Sequence, residues 1–253
     1  MKSLLIAIST LTALPLSPDQ WTDKDLKQSV AFYPLVGLLV GGLLVLACKI
    51  PLAHDLKSLL LLLLWVAITA AFHLDGLSDC LDGFFGGKTP EERQRIMKDP
   101  HIGAFGVTGI ALALVFKYVL LTHLLSDGEA WKQLLFIPIA SRWAVTLASV
   151  LFKAPPGNRG LGSQVLGLPA PWFAASTVVT LAMGIGLWEI QGVESVLLAA
   201  AVALAVGFLS QSRIGGLTGD GMGAIVELSE VSLLFMACLA PTKALFALQQ
   251  SLF

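Results

Sequence analysis

Long apolar runs alternate with short polar segments along the whole chain. The runs are Val30 to Cys48, Leu56 to Leu74, Ile102 to Leu125, Leu134 to Phe152, Pro171 to Trp188, Val193 to Leu209 and Ile225 to Ala240. A bilayer core is crossed by about 20 helical residues. Each run is therefore predicted as a membrane helix, about seven in all. The opening run, Leu4 to Leu16, is too short for a secure span and reads as a short helix, a re-entrant piece or an interfacial segment. The tail Lys243 to Phe253 is apolar enough to lie on a membrane surface. Within the polar segments, Thr89-Pro90-Glu91-Glu92 opens a short surface helix running to Asp99, with Thr89 as cap and Glu92 at capping-box spacing.

Composition agrees with this pattern. Of 253 residues, 56% are hydrophobic and 13% charged, about half the charged share of a soluble domain. The chain reads as one polytopic membrane domain, residues 1–253, of the all-α class. The opening MKSLLIAISTLTALPL resembles a signal peptide but lacks a small-x-small cleavage site before Pro15, so it is read as part of the mature chain. The formal net charge is -1, which gives no electrostatic footprint for nucleic acid. Cys48, Cys80 and Cys238 show no zinc or disulfide spacing.

Charge sorts the loops. Lys88, Arg93, Arg95 and Lys98 lie between Lys88 and His101, Lys153 and Arg159 lie between Lys153 and Leu168, and Arg213 marks a third basic turn. Asp127 with Glu129, beside Lys132, and Glu189 with Glu194 mark acidic loops between them. Alternating spans put the three basic loops on one side, and lysine and arginine mark the cytoplasmic side.

The strongest chemical signal is the run from Phe72 to Gly87, His73-Leu74-Asp75-Gly76-Leu77-Ser78-Asp79-Cys80-Leu81-Asp82-Gly83 at its centre. Asp75, Asp79 and Asp82 stand at i, i+4 and i+7, so on a helix they share one face. A solvated helix end would account for one such aspartate. Three together need compensation, and a hard divalent cation such as Mg²⁺, held by carboxylates and substrate phosphates, supplies it. Gly76, Gly83, Gly86 and Gly87 leave room for a bulky ligand to approach the backbone. His73 is either a packed, hydrogen-bonded side chain or a substrate contact.

A second acidic stretch runs from Arg213 to Glu230. Five glycines within nine residues disfavour a regular helix and fit a backbone that wraps phosphate, with Thr218 among the candidate contacts. Asp220 and Glu227 are seven residues apart, and Glu227 and Glu230 stand where an apolar run begins. Arg95 and Lys98 are candidate phosphate ligands, although positive-inside topology explains them equally. Arg142 and Lys117 sit inside apolar runs; Arg142 must find an acid or a cavity, and Lys117 either does the same or snorkels. The glycine-rich loop around Arg159 is either a cover over the site or a connection.

Clustered carboxylates, a metal and nearby cations in a membrane protein suggest phosphoryl or phospho-alcohol transfer. At these residues the chain resembles the cobalamin synthase family, the adenosylcobinamide-GDP ribazoletransferases of bacteria and archaea. The likeness rests on Tyr33-Pro34-Leu35-Val36-Gly37, the run Phe72 to Gly87, Ile96-Met97-Lys98-Asp99 with Ile102-Gly103-Ala104-Phe105-Gly106, and Gly215-Gly216-Leu217-Thr218-Gly219-Asp220. Leu11-Thr12-Ala13-Leu14-Pro15 resembles the family's start, with Ala13 where a basic residue is common, and the likeness extends to about Glu230.

The resemblance implies a Mg²⁺-dependent enzyme of the cytoplasmic (inner) membrane, its catalytic loops facing the cytoplasm. It would join adenosylcobinamide-GDP to α-ribazole or its 5'-phosphate, giving adenosylcobalamin or its phosphate and GMP. Asp75, Asp79 and Asp82 then form the metal and diphosphate site, and Asp220 and Glu227 serve a second metal or the ribazole hydroxyl. Arg159 lies where the chain departs most from the family pattern. Self-association, or association with other cobamide-assembly enzymes, accords with such a role. A CDP-alcohol phosphotransferase is the nearest alternative, but its Ala-Arg pair is absent, since Cys80 and Leu81 follow Asp79, and Gly87 stands where a later aspartate belongs. An ion-coupled transporter would need acids at mid-membrane and two related halves.

Overall fold

The structure, a computed structural model, describes residues 1–126, 130–158 and 160–239. Asp127, Glu129, Arg159 and the tail from Lys243 lie outside the described residues. All described elements are helical. A short α1 (Lys2–Leu11) precedes α2 (Asp23–Ser29), which runs through one 3₁₀ turn into α3 (Tyr33–Cys48). Then come α4 (His54–Ile68), α5 (Phe72–Gly86), α6 (Pro90–Ile96), α7 (Ala104–Leu125), α8 (Trp131–Leu151), the single turn α9 (Leu161–Gln164), α10 (Ala170–Ile214) and α11 (Gly219–Leu239).

Five of these helices are long and apolar enough to cross a membrane, counting α2–α3 as one, and the bent pair α4–α5 adds a sixth. α10 has 45 residues, about 67 Å if straight, twice the thickness of a bilayer core. It breaks at Trp188 and Glu189, where Glu189 takes φ 50°. Beyond the break the chain doubles back: a carbon added to Gly184 would come 3.2 Å from the Gly192 carbonyl oxygen. Divided there, α10 supplies two crossings, in line with the seven expected.

Two expectations change. The run Leu56 to Leu74 is not one helix. Ala70 and Ala71 both take left-handed backbone conformations (φ 49° and 56°), and α5 leaves α4 at 83°. The acidic helix therefore crosses the end of the bundle instead of continuing α4. The glycine-rich stretch is also more helical than its composition suggests. Only the segment from Gly215 to Thr218 is loop, and Gly219, Gly221 and Gly223 form the first turns of α11. Tertiary packing overrides a weak propensity, for reasons that appear at the site.

α8 is the axis of the bundle, with 78% of its span buried, against 28% for α7 on the rim. α3 reaches α8 through Gly37 and Gly41, where any side chain would overlap the backbone from Leu134 to Ile139; small residues four apart let membrane helices approach closely. Large apolar side chains such as Leu63, Phe116, Val178, Leu197 and Phe208 face outward.

The three basic loops converge at one end. The Leu217 N–H donates to the Lys153 carbonyl at 2.8 Å. The Arg93 guanidinium donates to the Arg213 carbonyl at 3.1 Å and, through Nε, to the Gly87 carbonyl at 3.0 Å. α6 is capped as expected: Thr89 Oγ1 accepts the Glu92 N–H, and the Glu92 carboxylate accepts the Lys88 N–H. That backbone N–H holds the Glu92 carboxyl below its usual range. α6 stops at Ile96, a turn earlier than the sequence suggested.

Candidate active site

α5 carries its three aspartates at this end in graded environments: Asp75 exposed, Asp79 half-buried, Asp82 buried. Asp75 and Asp79 line one cavity of ≈ 220 Å³ together with Ser78, Met97 and Lys98. Asp220 enters from α11. Gly76 permits this, because a β-carbon there would come within 2.8 Å of the Asp220 carbonyl oxygen. Gly223 does the same one turn on, where a β-carbon would lie 3.2 Å from the His73 carbonyl oxygen. The glycines of both motifs thus let α5 and α11 touch, which brings Asp220 within electrostatic reach of Asp75, Asp79 and Lys98. Thr218 caps α11, its Oγ1 accepting the Gly221 N–H at 3.2 Å.

Asp82, expected as a ligand beside the other two, has a different position. Its carboxylate accepts the N–H of Gly103 at 2.7 Å and of Gly106 at 2.9 Å, and it does not line the acidic cavity. It caps α7, where a carboxylate suits both the unpaired N–H groups and the helix dipole. A side chain at Gly103 or Gly106 would overlap that carboxylate. Gly83 and Gly87 likewise serve packing, against Met97 and Arg93. Gly86 is exposed, with Ile96 nearby.

Asp75, Asp79 and Asp82, expected together as the metal and diphosphate site, do not line one cavity. Among the described residues no three His, Cys, Asp or Glu side chains converge to hold a metal. Asp75 and Asp79, hard oxygen donors on one accessible cavity, still fit Mg²⁺, which commonly takes one or two carboxylates and completes its shell with water and substrate phosphates.

Glu227 stands about 10 Å along α11 from Asp220 and belongs to a separate buried cluster. Lys117 Nζ lies 2.6 Å from the Glu227 carboxylate and 2.5 Å from that of Glu230. Arg142 pairs with Glu230, the Trp65 indole N–H donates to it at 3.1 Å, and Lys117 lies 5.0 Å from the centre of the Trp65 ring. The intramembrane cations thus find the acids they require, and the two charges of each sign cancel. Glu227 and Glu230 lie within the bundle rather than at its surface. Their partners account for them without an ion pathway.

His73 lies within electrostatic reach of Arg142, Glu230 and Lys117 and does not line the acidic cavity. It is 2% exposed, and neither ring nitrogen has a hydrogen-bond partner. It lines a largely apolar cavity of ≈ 60 Å³ with Tyr33, Leu161, Gly162, Gly219 and Met222. Leu161 and Gly162, in the segment that follows Arg159, line this cavity, and a side chain at Gly162 would overlap Gly219. Arg95 and Lys98 flank a further cleft against Pro156 and Ile214. Sequence reasoning missed Ser78, which lines the acidic cavity and whose buried hydroxyl, packed against Gly106, has no hydrogen-bond partner. Its place one turn after Asp75 on the same face was the available signal. Tyr33 was noted without a role.

A family model described as cobalamin-5-phosphate synthase matches residues 3–238. An adenosylcobinamide-GDP ribazoletransferase of Desulfitobacterium hafniense (strain Y51) is 36% identical over 245 residues, which is 94% of this chain and 96% of the relative. One of Syntrophobacter fumaroxidans is 38% identical over 240 residues, covering 92% and 95%. One of Pseudomonas putida (strain F1) is 40% identical over 233 residues, covering 90% and 94%. No solved structure matches.

Proposed function

The chain belongs to the cobalamin-5-phosphate synthase family, an enzyme family of cobalamin biosynthesis, and from that membership we propose that it joins adenosylcobinamide-GDP to α-ribazole or its 5'-phosphate. The bond formed links a ribazole hydroxyl oxygen to the cobinamide-side phosphorus. The bond broken is the phosphoanhydride, and GMP leaves. The observation that carries this reading is the shared end of α5 and α11, where Asp75 and Asp79 line a cavity with Lys98 and Asp220 is drawn against Gly76.

Asp75 and Asp79 would hold Mg²⁺, which when bound would neutralise the diphosphate and ease departure of GMP. Lys98, as a point charge at the cavity rim, attracts the same diphosphate. Asp220 adjoins Gly219, which lines the His73 cavity, and also faces Asp79. In this reading Asp220 receives the proton of the attacking hydroxyl as general base. His73 offers a buried ring nitrogen to the ribazole, and Leu161 and Gly162 keep water out. Asp82 positions the acidic helix against α7, and Glu227 holds α11 through Lys117.

The site lies at the end carrying Lys88, Arg93, Arg95, Lys98, Lys153 and Arg213, which supports a cytoplasm-facing active site in the inner membrane. The test is GMP release by the purified protein in lipid nanodiscs. GMP is expected only when adenosylcobinamide-GDP, a ribazole and Mg²⁺ are all present. Release independent of the ribazole, or none with well-folded protein and metal, would remove this reading and turn attention to CDP-alcohol substrates.

A further inference from the structure

A second, larger space adjoins the acidic cavity. It is a cleft of ≈ 590 Å³ between α6 and the end of α10, with Glu91, Gln94, Arg95 and Lys98 on one wall and Pro156 and Ile214 opposite. Glu91, Gln94 and Arg95 stand at i, i+3 and i+4 on one face of α6, and Lys98 follows in the turn after its end. Lys98 lines this cleft and the acidic cavity both, so the two spaces share a wall. The Gln94 amide nitrogen donates to the Ile214 carbonyl at 3.3 Å, which ties the two walls together. Among the described residues the Glu91 carboxylate has no hydrogen-bond or ion-pair partner, and neither Arg95 nor Lys98 is in an ion pair.

We propose that this cleft is the guanosine subsite of the GDP-bearing substrate, with Glu91 as the residue that selects guanine. The inference rests on the ribazole-transfer reading and adds to it where the leaving nucleotide sits. The charges along the wall run in order. Asp75 and Asp79 mark the reacting end, Lys98 the junction, Arg95 the next position and Glu91 the far end, about 6 Å beyond Arg95 at helical rise. A carboxylate repels phosphate, so Glu91 belongs at the base end. Guanine alone among the common bases presents two adjacent donors, N1–H and the 2-amino group, which a carboxylate accepts through both oxygens. Adenine sets an acceptor beside its amino group. The glycosylated dimethylbenzimidazole of α-ribazole has no N–H at all, so Glu91 gains nothing from it. Pro156, which is exposed, offers apolar surface to a face of the base. The cleft volume falls within the usual range for small-molecule pockets.

The experiment measures binding of GMP, IMP and XMP to the purified protein in nanodiscs, for wild type and Glu91→Gln. IMP lacks the 2-amino group, and XMP carries a carbonyl in its place. The wild type is expected to bind GMP about 10-fold or more tighter than IMP or XMP, the scale of hydrogen bonds to a charged group. In Glu91→Gln the preference should turn to XMP, because the amide donates to the 2-carbonyl and accepts N1–H. Equal wild-type binding of the three nucleotides would overturn the proposal, as would a Glu91→Gln protein that keeps its preference for GMP. Turnover of adenosylcobinamide-GDP in the same preparation separates the two levels. With turnover intact and no guanine preference, the subsite assignment alone fails. With neither turnover nor nucleotide binding in folded wild type, the underlying reading fails too.

Discussion

Lys117→Met tests whether the buried charges hold the bundle or serve the reaction. Methionine keeps the length and apolar stem of the side chain and removes only the ammonium. The interior loses contacts at 2.6 Å to Glu227 and 2.5 Å to Glu230, leaving Arg142 alone against two carboxylates. Removing one partner of a buried pair costs about 3–5 kcal/mol, chiefly because the other charge stays behind uncompensated. Equilibrium unfolding in mixed micelles, followed by tryptophan fluorescence, reads this loss. Trp65 is a local reporter, since its indole N–H is bonded to Glu230. Adding Glu227→Gln restores the charge balance, so the double variant should be more stable than Lys117→Met, with a coupling of about 2 kcal/mol. A loss under about 1 kcal/mol in the single variant, or independent addition of the two losses, would refute the reasoning. Folded Lys117→Met should retain GMP release. If it folds and inserts normally but is inactive, the substrate cavity reaches Lys117 and has been misplaced.

Three further outcomes follow from the site. Asp79→Asn should lower GMP release by about 10³-fold, as expected when a group poised at developing charge is lost, with the unfolding midpoint essentially unchanged. Gly76→Ala places a carbon 2.8 Å from the Asp220 carbonyl oxygen; it should cost about 1–3 kcal/mol through overpacking and lower turnover by moving Asp220, both read on one preparation. Asp82→Asn sets an amide against the Gly103 and Gly106 N–H groups, so about 1–3 kcal/mol should be lost, with hydrogen exchange rising first at the start of α7.

Much of the architecture was legible because lipid imposes a simple rule. Backbone polar groups in a bilayer must be satisfied within the segment, so apolar length alone locates helices, and the crossing from Ala104 to Leu125 was legible almost to the residue. The division of α10 was legible too, since Glu189 and Glu194 interrupt the hydropathy. The bend at Ala70 and Ala71 was not. Neither residue is glycine or proline, left-handed backbone there costs about 1–2 kcal/mol each, and only packing of α5 across the bundle end accounts for it. The pairing of Lys117 and Arg142 was half legible. Their need for acids followed from burial in lipid, but the choice of Glu227 and Glu230 depends on the rotation of α11, which an apolar run does not encode.

The glycines expose the deeper limit. In the first acidic motif they read as room for a bulky ligand and in the second as a backbone that wraps phosphate, and glycine around carboxylates supports both readings in a chain seen in isolation. In the structure Gly76 and Gly223 are filled by protein backbone, and Gly103 and Gly106 by the Asp82 carboxylate. The two uses leave the same sequence trace, because each requires only that no side chain intrude. What separates them is which chain segment arrives at the vacant face, and that is a tertiary fact. The two readings still converge on one site. α5 and α11 approach closely enough to bring Asp220 to Asp79 only because those positions carry no side chain, so the glycines serve the chemistry by placing the acids rather than by cradling the substrate. A substitution that fills the contact should therefore impair catalysis from outside the substrate's reach, which distinguishes Gly76 from Gly86, an exposed glycine that α11 does not contact.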